Sequence, residues 1–247
     1  MKPQFVRMAV AFCAAVVVVA LPGSVLAQST VNTTLDSFLP GGTNAGGLTI
    51  GDKRYSNFTF SSTGDAPITA NTVDVALTGS DTQHQIRFSF VRDALEAPAG
   101  QTTDVVICYK VDVIGNQLIN GVGLAFDPSV VGGTAGAAAA SVSETVQTTD
   151  ESPLAPGSDS DLAVLTVFHD GPGELGDNAT ASLAVNPTRS LLFCKDILVS
   201  SRPEGGRVAI STVDNFVTQV PEPGTAALLL GAAGLLVRRR RSTASPA

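Results

Sequence analysis

The chain has 247 residues, 44% hydrophobic and 5% aromatic, with 24 Gly, 14 Pro and no Trp, which suffices for a sizeable core and excludes the disordered and collagen-like classes. Its formal charge of -7 excludes a general nucleic-acid binder, which needs clustered Lys and Arg to meet phosphate. Abundant Ser, Thr, Val, Ala and turn formers disfavour helical bundles and suit many short strands.

Residues 1–27 read as a secretory signal peptide. Lys2 and Arg7 form a basic start, Met8 to Leu21 carry no charge, and a Pro-Gly-Ser break leads to Val25-Leu26-Ala27. Val25 and Ala27 suit the cleavage pocket, so the mature chain is expected to begin at Gln28 and Cys13 to leave with the signal. An uncleaved N-terminal anchor is the alternative. No arginine pair precedes the apolar run, which points to unfolded export through the translocon and processing by signal peptidase. The domain is then expected to fold outside the cytosol.

Residues 28–47 read as a loose lead-in. Beyond them strand-like runs alternate with turn clusters, without a long helical period. In Asp104–Ile114, Val105, Ile107, Tyr109, Val111 and Val113 share one face while Val106, Cys108, Lys110, Asp112 and Ile114 share the other. In the same way Leu191, Phe193, Lys195, Ile197 and Val199 alternate with Leu192, Cys194, Asp196 and Leu198. Further strands are expected at Tyr55–Ser61, Asn71–Leu77, Gln85–Val91, Gln117–Phe126, Ala139–Thr148, Leu162–Phe168, Thr180–Val185 and Arg207–Thr218, with Ala135–Ala140 open to a helical turn instead. Gly- and Pro-rich turns separate them, as at Gly132-Gly133 and Gly171-Pro172-Gly173. With no solenoid repeat and no shift in composition, residues 28–220 are expected to form one all-β domain, a jelly-roll-like β-sandwich.

Cys108 and Cys194 are the cysteines left after signal removal, an even count in an oxidising compartment. A disulfide between them would bridge strands or a sheet edge; two separate buried thiols are the other reading.

At the C-terminus, Pro221-Glu222-Pro223-Gly224 is an extended breaker, since each proline lacks an amide donor and restricts its predecessor. An uncharged segment follows: Thr225, Ala226, Ala227, Leu228, Leu229, Leu230, Gly231, Ala232, Ala233, Gly234, Leu235, Leu236 and Val237. As a helix it would span roughly 20 Å against a hydrocarbon core of about 30 Å. Arg238, Arg239, Arg240 and Arg241 then act as a stop-transfer cluster that stays cytoplasmic, and a polar tail of residues 242–247 closes the chain. Snorkelling arginine stems and local bilayer thinning extend the effective span.

A Pro-Glu-Pro triad, an apolar segment and a basic cluster in this order resemble the PEP-CTERM sorting signal of exported bacterial proteins. The resemblance implies recognition by exosortase, an integral-membrane cysteine protease that cuts near the triad and passes the protein to the cell surface or extracellular polymer. Pro221, Glu222 and Pro223 would be the recognised triad, and residues 225–237 a membrane-spanning sorting helix. A plain C-terminal anchor is the alternative. Gly51-Asp52-Lys53-Arg54-Tyr55 and Phe193–Ile197 also resemble a β-rich domain found in such proteins, a likeness that implies no activity.

Without the signal and tail, residues 28–220 carry 9 basic and 21 acidic side chains, a formal charge of -12. Such a surface repels nucleic acid and anionic lipid. Calcium is the one cofactor to consider, through Ser158-Asp159-Ser160-Asp161 and the segment from Asp170 to Asp177, though neither has EF-hand spacing. No Gly-x-Ser-x-Gly elbow, His-Glu-x-x-His or Walker loop occurs, and His84 and His169 read as isolated surface histidines. No catalytic residue is assigned. The sequence therefore predicts an exported, exosortase-sorted surface or matrix protein with a structural or adhesive role. The alternative is a polysaccharide-binding or polysaccharide-hydrolysing sandwich. That alternative is weakened by the lack of Trp and a count of two Tyr, since sugar faces use aromatic platforms.

Overall fold

The computed structural model describes residues 29–221 except 81–82, 92–93, 135, 149–160 and 171–179. Among them lie β1 (Ser29–Thr34), β2 (Leu48–Ile50), β3 (Lys53–Gly64), β4 (Val73–Gly79), β5 (Gln83–Phe90), β6 (Glu96–Ala97) and β7 (Thr102–Val113). The second half holds β8 (Gln117–Val131), β9 (Ala138–Thr148), β10 (Asp161–Asp170), β11 (Thr180–Thr188), β12 (Ser190–Ser201) and β13 (Arg207–Pro221). One sheet runs β1-β4-β5-β13-β8-β11 with β6 on the flank of β13, and the other runs β10-β9-β12-β7-β3-β2. Every pairing is antiparallel, and the inner faces share one hydrophobic core. The all-β sandwich expected from the alternation is what forms.

The period-two pattern accounts for that core. Val105, Ile107, Tyr109 and Val111 of β7 are buried, as are Leu191, Phe193, Ile197 and Val199 of β12; across the interface they face strands bearing Ile86, Phe88, Val213 and Val217. Fully burying each aliphatic or Phe side chain is worth about 1.5–3 kcal/mol. Rings run through the middle: Phe38 stacks on Phe58 at 4.3 Å between centroids, Phe58 on Tyr109 at 5.4 Å, and Tyr109 on Phe193 at 5.3 Å. A bulge in β3 between Ser56 and Thr59 makes this series possible. Asn57 takes a left-handed φ of 56°, which Asn tolerates better than most residues. The extra residue turns Tyr55 and Phe58 inward together, although three positions apart they would face opposite ways on a regular strand.

One expectation needs correction. The segment read as a loose lead-in is built into the fold from Ser29 onward. β1 pairs along β4 from Ser29↔Gly79 to Thr34↔Asp74, and a 3-10 turn at Leu35–Phe38 buries Leu35 and Phe38. Ser29–Thr34 lacks apolar alternation because it is an edge strand, held by backbone pairing more than by side chains. In the alanine-rich stretch the expected strand forms: the Ala137 amide closes a turn onto the Thr134 carbonyl at 3.1 Å and β9 runs from Ala138. Ala137 packs directly on the Ser201–Gly206 turn, where the Arg202 amide donates to its carbonyl at 2.8 Å. A Cβ at Gly205 would overlap the Ala137 carbonyl.

Candidate functional site

Three places concentrate polar chemistry. The first lies inside the sandwich. Lys195 occupies an inward position on β12, and the antiparallel register sets Glu144 of β9 directly opposite it. Tyr109 comes from β7 on the other side of β12, and Asn215 comes from β13 in the facing sheet. Lys195, Glu144 and Tyr109 are 0% exposed and Asn215 is 2% exposed. Lys195 Nζ donates to Glu144 Oε2 and, at 3.2 Å, to the Tyr109 hydroxyl. That hydroxyl donates to Asn215 Oδ1 at 2.9 Å, and Asn215 Nδ2 donates to Glu144 Oε1 at 2.6 Å and to the Gly123 carbonyl at 3.1 Å. Amine, carboxyl, carboxamide and phenol thus close one ring of hydrogen bonds. Around it stand the rings of Tyr109, Phe88 and Phe193, whose centroids lie 4.8, 5.7 and 5.7 Å from Nζ. Burial pushes the Glu144 carboxyl up and the Lys195 amine down, each opposed by the charge of the other. Burial, with the Glu144 charge, also holds the Tyr109 phenol protonated.

The second place is the root of the C-terminal tail. Lys53, 0% exposed, donates to Asp52 Oδ1 at 2.6 Å and to Gln219 Oε1 near the end of β13. His84 Nε2 lies 3.1 Å from the same Asp52 oxygen. Pairing of β13 with β8 continues to Pro221↔Gln117, so the strand stays in the sheet up to the first residue of the triad. His84 and His169 were expected at the surface, yet they are buried, at 1% and 5% exposure. Each sits at an inward position of its strand, His84 in step with Ile86 and Phe88, and His169 with Leu165 and Val167.

The third is a depression of about 540 Å³ on the outer face of the sheet that carries β13. Gly121, Gly123, Ala125, Ser182 and Ala184 form a floor of small residues, with Gln83, Asn120, Thr218 and the ring of Phe216 around it. Beside it Arg87 and Asp214 make a two-pronged ion pair at 2.7 and 2.8 Å. Neither tyrosine is available as a platform here, because Tyr55 and Tyr109 both belong to the core.

Cys108 and Cys194 are direct cross-strand partners on β7 and β12 and form a disulfide, on the opposite side of that sheet from Tyr109 and Lys195. The cleavage position Ala27/Gln28, Glu222, Pro223, residues 225–237, Arg238 to Arg241, and the candidate calcium loops at 158–160 and 171–177 lie outside the described residues. Among the described residues no three His, Cys, Asp or Glu side chains gather as a metal site, and no helix is long and apolar enough to cross a membrane.

Alternation hid the buried cluster in plain view. Lys195, Glu144 and Asn215 fall on the apolar faces of their strands, a conflict between residue type and position that could have marked them.

Residues 219–241 match the PEP-CTERM protein-sorting motif. This is the tail recognised in the sequence, and it implies export and exosortase-dependent, membrane-associated sorting in the cell envelope. No curated protein matches the chain. Among solved structures, TmCBM61 in complex with beta-1,4-galactotriose is similar at a TM-score of 0.29 and 12% identity, over 66% of this chain and 88% of that one. The enzymatically active domain of bacteriophage CBA120 tailspike protein 4 aligns at 0.29 and 17% identity, over 66% and 19%. The low-affinity xylan-binding module CBM86 from Roseburia intestinalis aligns at 0.23 and 10%, over 77% and 96%. Likeness at this level says nothing of what the chain binds.

Proposed function

We propose that the chain is an exported envelope protein whose β-sandwich is delivered by its tail to the cell surface or extracellular matrix, where it has a structural or adhesive role without enzymatic turnover. The observation that carries this reading is the sorting motif at 219–241. It begins inside β13, whose pairing runs to Pro221, so the folded domain and the exosortase signal adjoin without a linker. The signal peptide would bring the chain to the translocon, residues 225–237 would hold it in the membrane, and the protease would release it near the triad. The reading assigns no cofactor.

Its test follows two epitopes, one in mid-domain and one at the C-terminus, through export in the native host. The native protein is expected to keep the first and lose the second. A variant with Pro221, Glu222 and Pro223 replaced by alanine is expected to keep both and stay in the membrane fraction. If native and variant chains retain the tail and fractionate alike, processing at the triad is wrong.

The outer-face depression supports a second reading, in which the displayed domain binds polysaccharide. Polar Gln83, Asn120 and Thr218 around Phe216 offer hydrogen bonds beside one apolar ring. In that case a glycan array gives a reproducible ligand, and Phe216→Ala weakens it by about 1 kcal/mol, roughly five-fold. An array without a ligand retires this alternative and leaves the sorting reading untouched.

A further inference from the structure

The ring of Lys195, Glu144, Asn215 and Tyr109 lies outside the sorting motif at 219–241, and a buried ion pair is a weak source of stability compared with apolar residues of equal volume. What it does supply is a nucleophile, a proton carrier, an electrophile and a hydrogen-bond donor, with Glu144 and Tyr109 each bonded to both Lys195 and Asn215 and all four shielded from water. We propose that Lys195 and Asn215 become covalently joined within the folded chain by an amide bond between Lys195 Nζ and Asn215 Cγ, with release of ammonia.

Each atom has its place. Proton transfer within the Lys195–Glu144 pair gives a neutral amine and a carboxyl group. The amine nitrogen attacks Asn215 Cγ, and the carbonyl electron pair moves onto Oδ1, where the Tyr109 hydroxyl already donates at 2.9 Å. The Glu144 carboxyl group gives its proton to Nδ2, which stands 2.6 Å from Oε1, and the carboxylate this leaves takes a proton from the attacking nitrogen. The Cγ–Nδ2 bond breaks and ammonia leaves. No oxidant, metal or co-substrate is consumed, and Glu144 ends as it began, a carboxyl group.

The surroundings favour this reaction. Burial drives both members of the pair toward their neutral forms, the forms that attack and protonate. Fixed intramolecular partners reach effective molarities of roughly 10⁵–10⁸ M. Exclusion of water from the sealed core suppresses hydrolysis of the amide, and loss of ammonia draws the exchange one way. Lys195 is on β12 and Asn215 on β13, in facing sheets, so the bond would clamp the two layers together. It would also tie the tail-bearing strand to Lys195, whose chain neighbour Cys194 is already bonded to Cys108. The proposal stands independently of the sorting reading.

The experiment is mass spectrometry of the full-length chain, freshly folded and after ageing, with the disulfide reduced. The intact mass is expected to fall short of the sequence mass by one ammonia. Tryptic digestion is expected to give a branched species joining 190–207 to the peptide that begins at Val208, because acylated Lys195 resists cleavage. Glu144→Gln, nearly isosteric, is expected to remain folded by circular dichroism and to lack both signs, as is Lys195→Met. A native chain with its full mass and ordinary cleavage after Lys195, even after ageing, overturns the proposal whatever the variants do. So does ammonia loss that persists in Lys195→Met, which would mark cyclisation of an asparagine onto its own backbone. A Glu144→Gln chain that still forms the branched species overturns the role given to Glu144.

Discussion

Glu144→Ala is expected to lower the unfolding free energy of the domain by about 3–5 kcal/mol, because it leaves the Lys195 amine in a dry core without its counter-charge. Lys195 is 0% exposed and walled by Phe88, Tyr109 and Phe193, so neither water nor a surface carboxylate can replace the lost partner. Asn215 loses an acceptor as well, since its Nδ2 group is shared between Glu144 and the Gly123 carbonyl. Urea denaturation of native and variant domains measures the loss. A cost no larger than that of an ordinary surface substitution, about 0.5 kcal/mol, would show that the pair is not sealed from solvent. Pairing Glu144→Leu with Lys195→Met removes both charges at once and fills their space with apolar atoms, and this double variant is expected to recover the electrostatic part of the loss. It cannot form the Lys195–Asn215 bond. Its remaining deficit against the native chain therefore holds the covalent contribution together with the hydrogen bonds that Asn215 and Tyr109 lose, free of the charge effect that a single-residue deletion would add.

How far the sequence could be read depended on where each strand sits. β7 and β12 are central strands with one face on the core, so their alternation reports burial directly, and it placed Tyr109 and Val111, or Phe193 and Ile197, on the buried side. β1 is an edge strand with Val31 as its one aliphatic residue; its backbone partners on β4 are remote in sequence, and nothing local announces them. The cysteines were legible as a pair by count, whereas their direct opposition needed the register of β7 against β12. The buried cluster lay beyond reach for a further reason. Lys195 shares a face with Phe193 and Ile197, Glu144 with Val142 and Val146, and Asn215 with Val213 and Val217, so each can be flagged alone as polar at an inward position. That the three converge follows from β9 lying beside β12 and from β13 crossing opposite them in the other sheet, which is tertiary information. The tail was the easiest part, because a sorting signal must be recognised as a short linear pattern before folding matters.

Replacing both Cys108 and Cys194 by alanine is expected to remove on the order of 4–5 kcal/mol, because the bridge closes a loop spanning 86 residues in sequence and so restricts the unfolded chain. The packing contribution should be small. Both cysteines lie on the outer side of their sheet, half-buried, so the substitution opens no cavity between the layers. Urea melts distinguish this origin from lost contacts: without the bridge the unfolded chain expands, so the denaturant slope should rise while the midpoint falls. An unchanged midpoint and slope would mean that the loop is already constrained by residual structure in the unfolded state. The disulfide loop ends at Cys194, and the loop that a Lys195–Asn215 bond would close begins at the next residue. Loops placed end to end do not overlap, so each restricts a separate stretch of the unfolded chain and their stabilisations should add, in contrast to nested loops, where the outer closure already limits the inner one. With both closed, a pull on the tail could unzip β13 only back to Asn215 before the load passes through Lys195 and Cys194 into β7 at Cys108.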